Sequence, residues 1–167
     1  MSETTLRPYD PNAEADRRTL WELKTAFETE LGEMADNEPK AATYGAKLTD
    51  RYRSRWLSWV DRCIEDDKRC LLFAVEDCGA VGYIFLLPER LAFIWDSAVV
   101  NELYVVETRR GDGVADALLG RAIEIAAEQE LPLDRLLLDV SHDNSRARRF
   151  YERHGFKPWG EIVAKDL

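Results

Sequence analysis

A short basic turn is the first feature of the sequence that could do chemistry. It consists of Arg109, Arg110, Gly111, Asp112 and Gly113, and it lies between two apolar segments. The first segment predicts a strand and the second an amphipathic helix, whose free backbone N–H groups and dipole favour an anion at the turn. Glycine lets the backbone approach a phosphate, and arginine adds charged donors. The turn therefore predicts a phosphate site, although a plain tight turn with solvated arginines explains the same residues.

Two common phosphate-binding motifs are excluded at this turn. No Gly-Lys-Ser or Gly-Lys-Thr follows it, so it is not a P-loop. A dinucleotide-binding fingerprint needs three glycines at a different spacing. An anion bound here would have to be recognised in another way.

A second informative segment follows the apolar residues 136–140. Ala147, Phe150, Tyr151 and His154 recur at helical spacing, and Asn144 precedes them. Together the two segments resemble the GNAT superfamily of N-acetyltransferases. The family's Arg/Gln-x-x-Gly-x-Gly/Ala turn corresponds to Arg110, Gly113 and Ala115. Its second signature is matched by Asn144, Ala147, Phe150, Tyr151, Gly155 and Phe156.

The resemblance covers residues 70–160 and implies a site for acetyl-coenzyme A. The turn at 110–115 would hold the pyrophosphate, and the main chain at 103–105 would pair with the pantetheine arm and the acetyl carbonyl. Asn144 would touch the same arm, and the Tyr151 hydroxyl would face the thioester sulfur. The predicted coenzyme-binding residues are Leu103, Tyr104, Val105, Arg109, Arg110, Gly111, Asp112, Gly113, Val114, Ala115, Asn144, Ala147 and Tyr151.

The implied reaction needs an acid and a base. An amine attacks the acetyl carbonyl, a backbone N–H stabilises the oxyanion, and Tyr151 protonates the departing thiolate. A core aromatic on the helix is the alternative interpretation of Tyr151. Glu102 is our candidate base, with Asp96 or a water chain as alternatives, because Val99 lies where the family often has a glutamate. Alternation along the strand places Glu102 opposite Leu103, either in the cleft or in solvent.

The acceptor is predicted to be a primary amine on a small cationic molecule or on a protein. The formal net charge is −9 at pH 7, which favours cationic or neutral partners and argues against nucleic-acid binding. Trp56, Trp59, Trp95 and Asp96 could form a cation-binding pocket, but such tryptophans also serve as core residues.

Composition limits the remaining possibilities. The 167 residues contain no apolar run of the roughly 20 residues that a membrane span needs, so we expect a cytoplasmic protein with no membrane partner. The spacing of Cys63, Cys70 and Cys78 matches no common zinc pattern, and we expect no metal. The oligomeric state stays open, with a homodimer as one option.

The apolar segments also predict the elements that must position these residues. Strands are predicted at 6–9, 70–75, 81–87, 92–106, 136–140 and once or twice within 156–167, and helices at 20–31, 44–63, 113–130 and 147–154. The crossover through helix 113–130 requires one parallel pair of strands. With the family resemblance, this order predicts a single α/β (mixed α+β) domain over 1–167. Its twisted, largely antiparallel mixed sheet would have six to seven strands and about four flanking helices, with 12–66 as the variable substrate-side region.

The predicted function is thus transfer of an acetyl group from acetyl-coenzyme A to an amine. The alternative is a non-catalytic acyl-coenzyme A-binding regulatory module of the same fold. Such a module needs the phosphate turn but neither Tyr151 nor a base.

Overall fold

A mixed β-sheet with helices on both faces organises the chain. The computed structural model describes residues 3–35 and 38–167. The strands are β1 (Thr5–Pro8), β2 (Leu71–Glu76), β3 (Gly79–Leu86), β4 (Ala98–Val105) and β5 (Leu136–Leu138). The α-helices are α1 (Glu14–Glu33), α2 (Glu38–Ala46), α3 (Asp50–Asp66), α4 (Glu89–Ala92), α5 (Val114–Ala127) and α6 (Ser145–Arg153). None of the helices in these ranges has the length and apolar character of a membrane span.

The strands lie in the order β1-β2-β3-β4-β5, and only β4 and β5 pair in parallel. This arrangement confirms the predicted mixed, largely antiparallel sheet. The described residues form five strands, fewer than the six to seven expected. Within the described residues, the segment 157–167 forms no strand. Pro158 cannot donate to a ladder and Gly160 weakens a strand, so Ile162 and Val163 alone do not build one.

The described residues form six α-helices, where the sequence predicts about four. The predicted helix at 44–63 is two helices, α2 and α3, because the chain breaks after Ala46 and starts a new helix at Asp50. The Thr49 side chain caps α3 by accepting a hydrogen bond from the Tyr52 backbone N–H at 3.1 Å. The extra helix α4 is a single turn between β3 and β4.

Two hydrophobic cores lie on opposite faces of the sheet. On one face, α1 and α3 pack Leu20 and Val60 against Phe73 of β2. On the other face, α5 packs Leu118 against Ile84 of β3. Helix α1 covers one face and α5 the other, and both helices contact β4.

The strand β4 contains a β-bulge that decides which side chains face α1. Glu102 pairs with Phe85 while Val100 pairs with the next residue, Leu86, so Asn101 is the extra residue. The bulge resets the alternation, and Glu102 lies on the α1 face although it is three residues after Val99, which shares that face.

Strands β4 and β5 separate beyond the bulge. Their parallel ladder runs from Ala98 paired with Leu136 to Val100 paired with Leu138. Among the described residues, no strand pairs with the β5 side of residues 101–105. A cleft therefore opens between the two strands at the end of β4 that leads into the basic turn.

Candidate active site

A cavity of about 460 Å³ lies in this cleft. It is bounded by the end of β4, the start of α5, one face of α6 and the second half of α1. Most of the residues predicted to bind coenzyme line it together. They are Leu103, Tyr104, Val105, Arg110, Gly111, Gly113, Ala115, Asn144, Ala147 and Tyr151. The structure thus assembles in one place two motifs that are about 30 residues apart in the sequence.

Three of the predicted residues lie outside the described lining. Val114 is buried in the core under α5. Arg109 donates to the carboxylate of Glu76 at 2.7 Å and pairs with Asp112 at 3.1 Å. The charge of Arg109 is therefore balanced within the protein, and Arg110 is the member of the pair that reaches the cavity.

Several lining residues were not predicted. They are Phe27, Glu30, Leu31, Met34, Asp116, Arg146, Phe150 and Arg153. Phe27 and Leu31 belong to the helical stripe that predicts α1, and Phe150 belongs to the second motif. For Glu30 the sequence carries no signal, because its partners are 80 and 116 residues away.

Glu30 forms the main charged contact of this cavity. Its two oxygens accept from the Arg110 guanidinium at 2.9 and 2.5 Å, and Arg146 donates to the same carboxylate at 2.9 Å. Burial disfavours the charged carboxylate, but the hydrogen bonds from Arg110 and Arg146 outweigh it and lower the pKa of Glu30. Arg110 also donates to the Val105 carbonyl at 2.9 Å, which ties the basic turn to the end of β4.

The turn itself depends on its glycines for backbone conformation. Gly111 and Gly113 have φ values of +86° and +84°, which other residues rarely adopt. The space beside both α-carbons is open, so a ligand can approach the backbone there. Helix α5 begins directly afterwards at Val114, and the N–H groups of its first turn have no helical acceptors. The geometry of an anion site is therefore present.

Asn144 and Tyr151 project from α6 and its cap. The Asn144 side-chain oxygen accepts from the Ala147 N–H at 3.0 Å, which leaves the amide N–H₂ group available to a ligand. The Tyr151 ring packs against Phe150 and Phe156 with centroids 5.2 and 5.5 Å apart. Burial raises the pKa of Tyr151 to about 12. Its hydroxyl therefore stays protonated and able to donate throughout the physiological pH range.

A second cavity of about 240 Å³ adjoins the first. The two share the side chains of α1, β4 and α6 that lie between them. The shared residues are Phe27, Leu31, Leu103, Asn144, Ala147 and Tyr151. The second cavity is more polar, with Glu28, Lys47, Glu102 and Asp139 in its lining.

Glu102, the predicted base, faces this second cavity from a buried polar network. One oxygen forms an ion pair with Lys24, and the other accepts from the Tyr83 hydroxyl at 2.7 Å. Lys24 also donates to Glu28 at 2.5 Å. Burial raises the pKa of Glu102, although Lys24 and Tyr83 favour its ionised form. For Lys24, burial disfavours the charge, but the two carboxylates prevail and raise its pKa.

The predicted aromatic cation pocket is not assembled. Trp56 and Trp59 belong to the core and pack against Phe85, with centroids 6.4 and 5.1 Å apart. Trp95 and Asp96 lie in an exposed loop after α4. The described lining of the two cavities includes none of these four residues.

Comparison with known proteins places this arrangement in a family. A model described as the acetyltransferase (GNAT) family matches residues 28–156. The chain belongs to this family. The match includes both motifs and the end of α1 from Glu28 onward. It confirms the family that the two motifs predict.

Individual relatives are distant. The mycothiol acetyltransferase of Salinispora tropica is 28% identical over 98% of this chain and 48% of its own length. An uncharacterised N-acetyltransferase of Mycobacterium tuberculosis is 32% identical over 56% of each chain. The chain thus spans about half the length of the curated relatives that it matches.

A solved structure agrees with the fold. The PaiA N-acetyltransferase of Thermoplasma acidophilum, whose structure contains coenzyme A, superposes with a TM-score of 0.70 at 21% identity. The superposition covers 93% of this chain and 90% of that one. The fold class predicted from the order of elements is therefore confirmed.

Proposed function

We propose that this chain transfers the acetyl group of acetyl-coenzyme A to a primary amine of a small molecule. The observation that carries the proposal is the meeting of two cavities at Leu103 and Tyr151. One cavity is lined by the glycine turn and Arg110, and the other is lined by carboxylates. A site that joins an anionic donor to a cationic acceptor needs this division of charge.

The first cavity fits the coenzyme in three respects. The β5 side of β4 at 103–105 is free of strand partners, so its main chain can pair with the amides of the pantetheine arm. The N-terminus of α5 and the glycine turn can receive the pyrophosphate. Arg110 and Arg146 line the same cavity and can exchange Glu30 for a phosphate oxygen.

Tyr151 supports the chemical step on the donor side. The acceptor nitrogen forms a bond to the acetyl carbon, the carbon–sulfur bond breaks, and the sulfur leaves as a thiolate. A tyrosine with a raised pKa holds its proton until the thiolate develops and then donates a hydrogen bond or the proton itself. A main-chain N–H at the end of β4 would stabilise the oxyanion.

Glu102 supports the acceptor side as the proposed general base. It lines the second cavity, and its raised pKa makes it a better proton acceptor than an exposed glutamate. Each carboxylate oxygen has a second lone pair beyond those used by Lys24 and Tyr83. The proton released by the attacking amine can pass to that lone pair.

A direct assay tests the proposal. The protein is mixed with acetyl-coenzyme A and a panel of amines, and free thiol and acetylated product are measured. We expect thiol release that depends on both the protein and the amine. The names of the relatives, which include a mycothiol acetyltransferase and N-acetyltransferases, support amines as the first acceptors to try. Coenzyme binding without thiol release for any amine would instead indicate a regulatory binding module.

A further inference from the structure

A primary ammonium group of the protein itself lies in the second cavity. Lys47, in the connection between α2 and α3, has its Nζ 2.8 Å from Oε2 of Glu28. The same Nζ lies over the rings of Tyr44 and Tyr52, 5.2 and 5.6 Å from their centroids. A carboxylate with two aromatic faces recognises an alkylammonium ion. We call Glu28, Tyr44 and Tyr52 the ammonium cage.

The carboxylate of the cage is fixed, whereas its present occupant is replaceable. Glu28 is 3% exposed, and its other oxygen is held by Lys24. Its Oε2 atom is shielded from solvent and accepts no hydrogen bond within the described residues, so Lys47 satisfies its charge without good hydrogen-bond geometry. The Lys47 side chain is 38% exposed on a flexible stem. Another ammonium group can therefore take its place at little cost.

The position of the cage identifies which group of an acceptor it would hold. Glu28 and Tyr44 line the second cavity, and Leu103 and Tyr151 line both cavities. The amine that attacks the thioester must be neutral, but the cage stabilises a charged amine. The cage is thus unsuited to the reacting nitrogen and suited to a second, non-reacting one.

We propose that the ammonium cage binds the far ammonium group of a small diamine acceptor, and that Lys47 is a stand-in ligand which the acceptor displaces. This inference rests on the proposed function, since it names the acceptor class of the same site. The charge of the cavity agrees with it. Glu28, Glu102 and Asp139 line the cavity, and Asp139 has no ion pair among the described residues. With Lys47 swung out, Lys24 is the one cation in the described part of the chain that forms ion pairs with these carboxylates, and a dication fits the remaining charge.

The test compares acceptors that differ only at the far end. Linear diamines such as 1,4-diaminobutane are compared with amino alcohols of equal length, and the preference is the ratio of their kcat/KM values. In Lys47→Met the competing ammonium is gone, so we expect the preference for the diamine to rise by about tenfold. In Glu28→Gln the ratio of the kcat/KM values for diamine and amino alcohol should fall towards one. Lys68→Met, which removes an exposed lysine outside both cavities, should leave it unchanged.

The sign of the Lys47→Met effect decides the matter. A lysine that recognises an anionic acceptor would lower activity when removed, so a preference that falls or stays constant in Lys47→Met overturns the proposal. If Lys47→Met does not fold, the double variant Glu28→Gln/Lys47→Met removes the buried charge as well. It should lose the diamine preference, and a double variant that keeps it also overturns the proposal.

A binding measurement separates this inference from the proposed function. Calorimetry with 1,4-diaminobutane and the coenzyme A-bound protein needs no turnover. Tighter binding to Lys47→Met than to the unmodified chain supports the cage even if no amine is acetylated. Equal or weaker binding rejects the cage even if thiol release shows that the chain is an acetyltransferase.

Discussion

Among single residues, Tyr151 has the clearest expected effect on chemistry. Tyr151→Phe keeps the ring that packs between Phe150 and Phe156 and removes only the hydroxyl. We expect kcat to fall by about 10²–10⁴-fold with coenzyme affinity nearly unchanged, because positioned proton transfer contributes that much. The measurement is the single-turnover rate, which a slow release step cannot mask.

The raised pKa of Tyr151 adds a pH criterion. Because the pKa of Tyr151 is about 12, ionisation of its hydroxyl should cause no loss of kcat below pH 10. A Phe variant with a normal single-turnover rate would show that Tyr151 acts only in packing.

Glu102 should control the acidic side of the pH profile. Burial raises its pKa, so kcat/KM should fall as the pH drops through a value above the ordinary range for glutamate. Glu102→Gln should lower the plateau and remove this acidic limb, and the profile of kcat/KM against pH is the measurement. Thermal unfolding checks that Lys24, still paired with Glu28, remains accommodated. An acidic limb that persists in the variant would show that Glu102 is not the base.

Glu30 should weaken the binding of the coenzyme. Its carboxylate occupies Arg110 and Arg146 and places a negative charge in the proposed phosphate site. We expect Glu30→Gln to tighten coenzyme A binding about three- to tenfold, close to 1 kcal/mol, and Arg110→Gln to weaken it. Calorimetry measures both, with Glu33→Gln at the exposed end of α1 as the matched control. Weaker binding by Glu30→Gln would mean that Glu30 holds the arginines in place for the ligand.

Among the elements, the contact between β3 and β4 is the one most sensitive to a small change. A Cβ at Gly82 would lie 2.6 Å from the Tyr104 carbonyl oxygen and 3.1 Å from a Val105 methyl group. Gly82→Ala should lower the free energy of unfolding by about 1–3 kcal/mol, as overpacking does, and weaken coenzyme binding because 103–105 line the cavity.

Gly120→Ala is the matched control for this change. Gly120 lies on the exposed surface of α5 with open space beside its α-carbon, so alanine there should raise stability by about 0.5–1 kcal/mol. Denaturant unfolding and calorimetry measure the two variants. A Gly82→Ala variant as stable as the parent would show that β3 and β4 can move apart at this position without lowering the free energy of unfolding.

The sequence predicts those elements whose signal is local. Periodicity and glycine placement predict the strand, turn and helix around 103–127 and the stripe on α6. These elements bring together most of the residues that we propose bind the coenzyme. The prediction of one or two closing strands within 156–167 is wrong because propensity alone does not supply a partner strand. The prediction of a single helix at 44–63 is wrong because the apolar periodicity continues past Thr49, the residue that caps the start of α3.

Much of the part of the site that the sequence does not predict comes from α1. Its apolar stripe predicts a helix, but the sequence gives no reason to expect Lys24, Glu28 and Glu30 anywhere except on the charged, solvent-exposed face of that helix. Their roles depend on Glu102 and Arg110, which lie 78 and 80 residues further along the chain. No feature of the sequence predicts the bulge at Asn101, although the bulge directs Glu102 towards α1. Contacts between residues so far apart in the chain produce no periodic pattern in the sequence.

For the whole molecule, the net charge of −9 should affect the two substrates in opposite ways. An acidic protein attracts a cationic amine and repels an anionic coenzyme at long range. Salt screens both effects, since the Debye length shortens from about 30 Å at 0.01 M to about 10 Å at 0.1 M. The local arginines then matter more for the coenzyme than the overall field does.

Raising the ionic strength should therefore lower kcat/KM for a diamine and raise the association rate of coenzyme A. The effect on the diamine should exceed that on an amino alcohol of equal length, because the diamine carries one more charge into the same field. Steady-state rates across a potassium chloride series measure the first effect, and stopped-flow binding measures the second. A diamine rate that rises with salt would contradict steering by the acidic surface and would place the origin of acceptor preference entirely in short-range contacts of the second cavity.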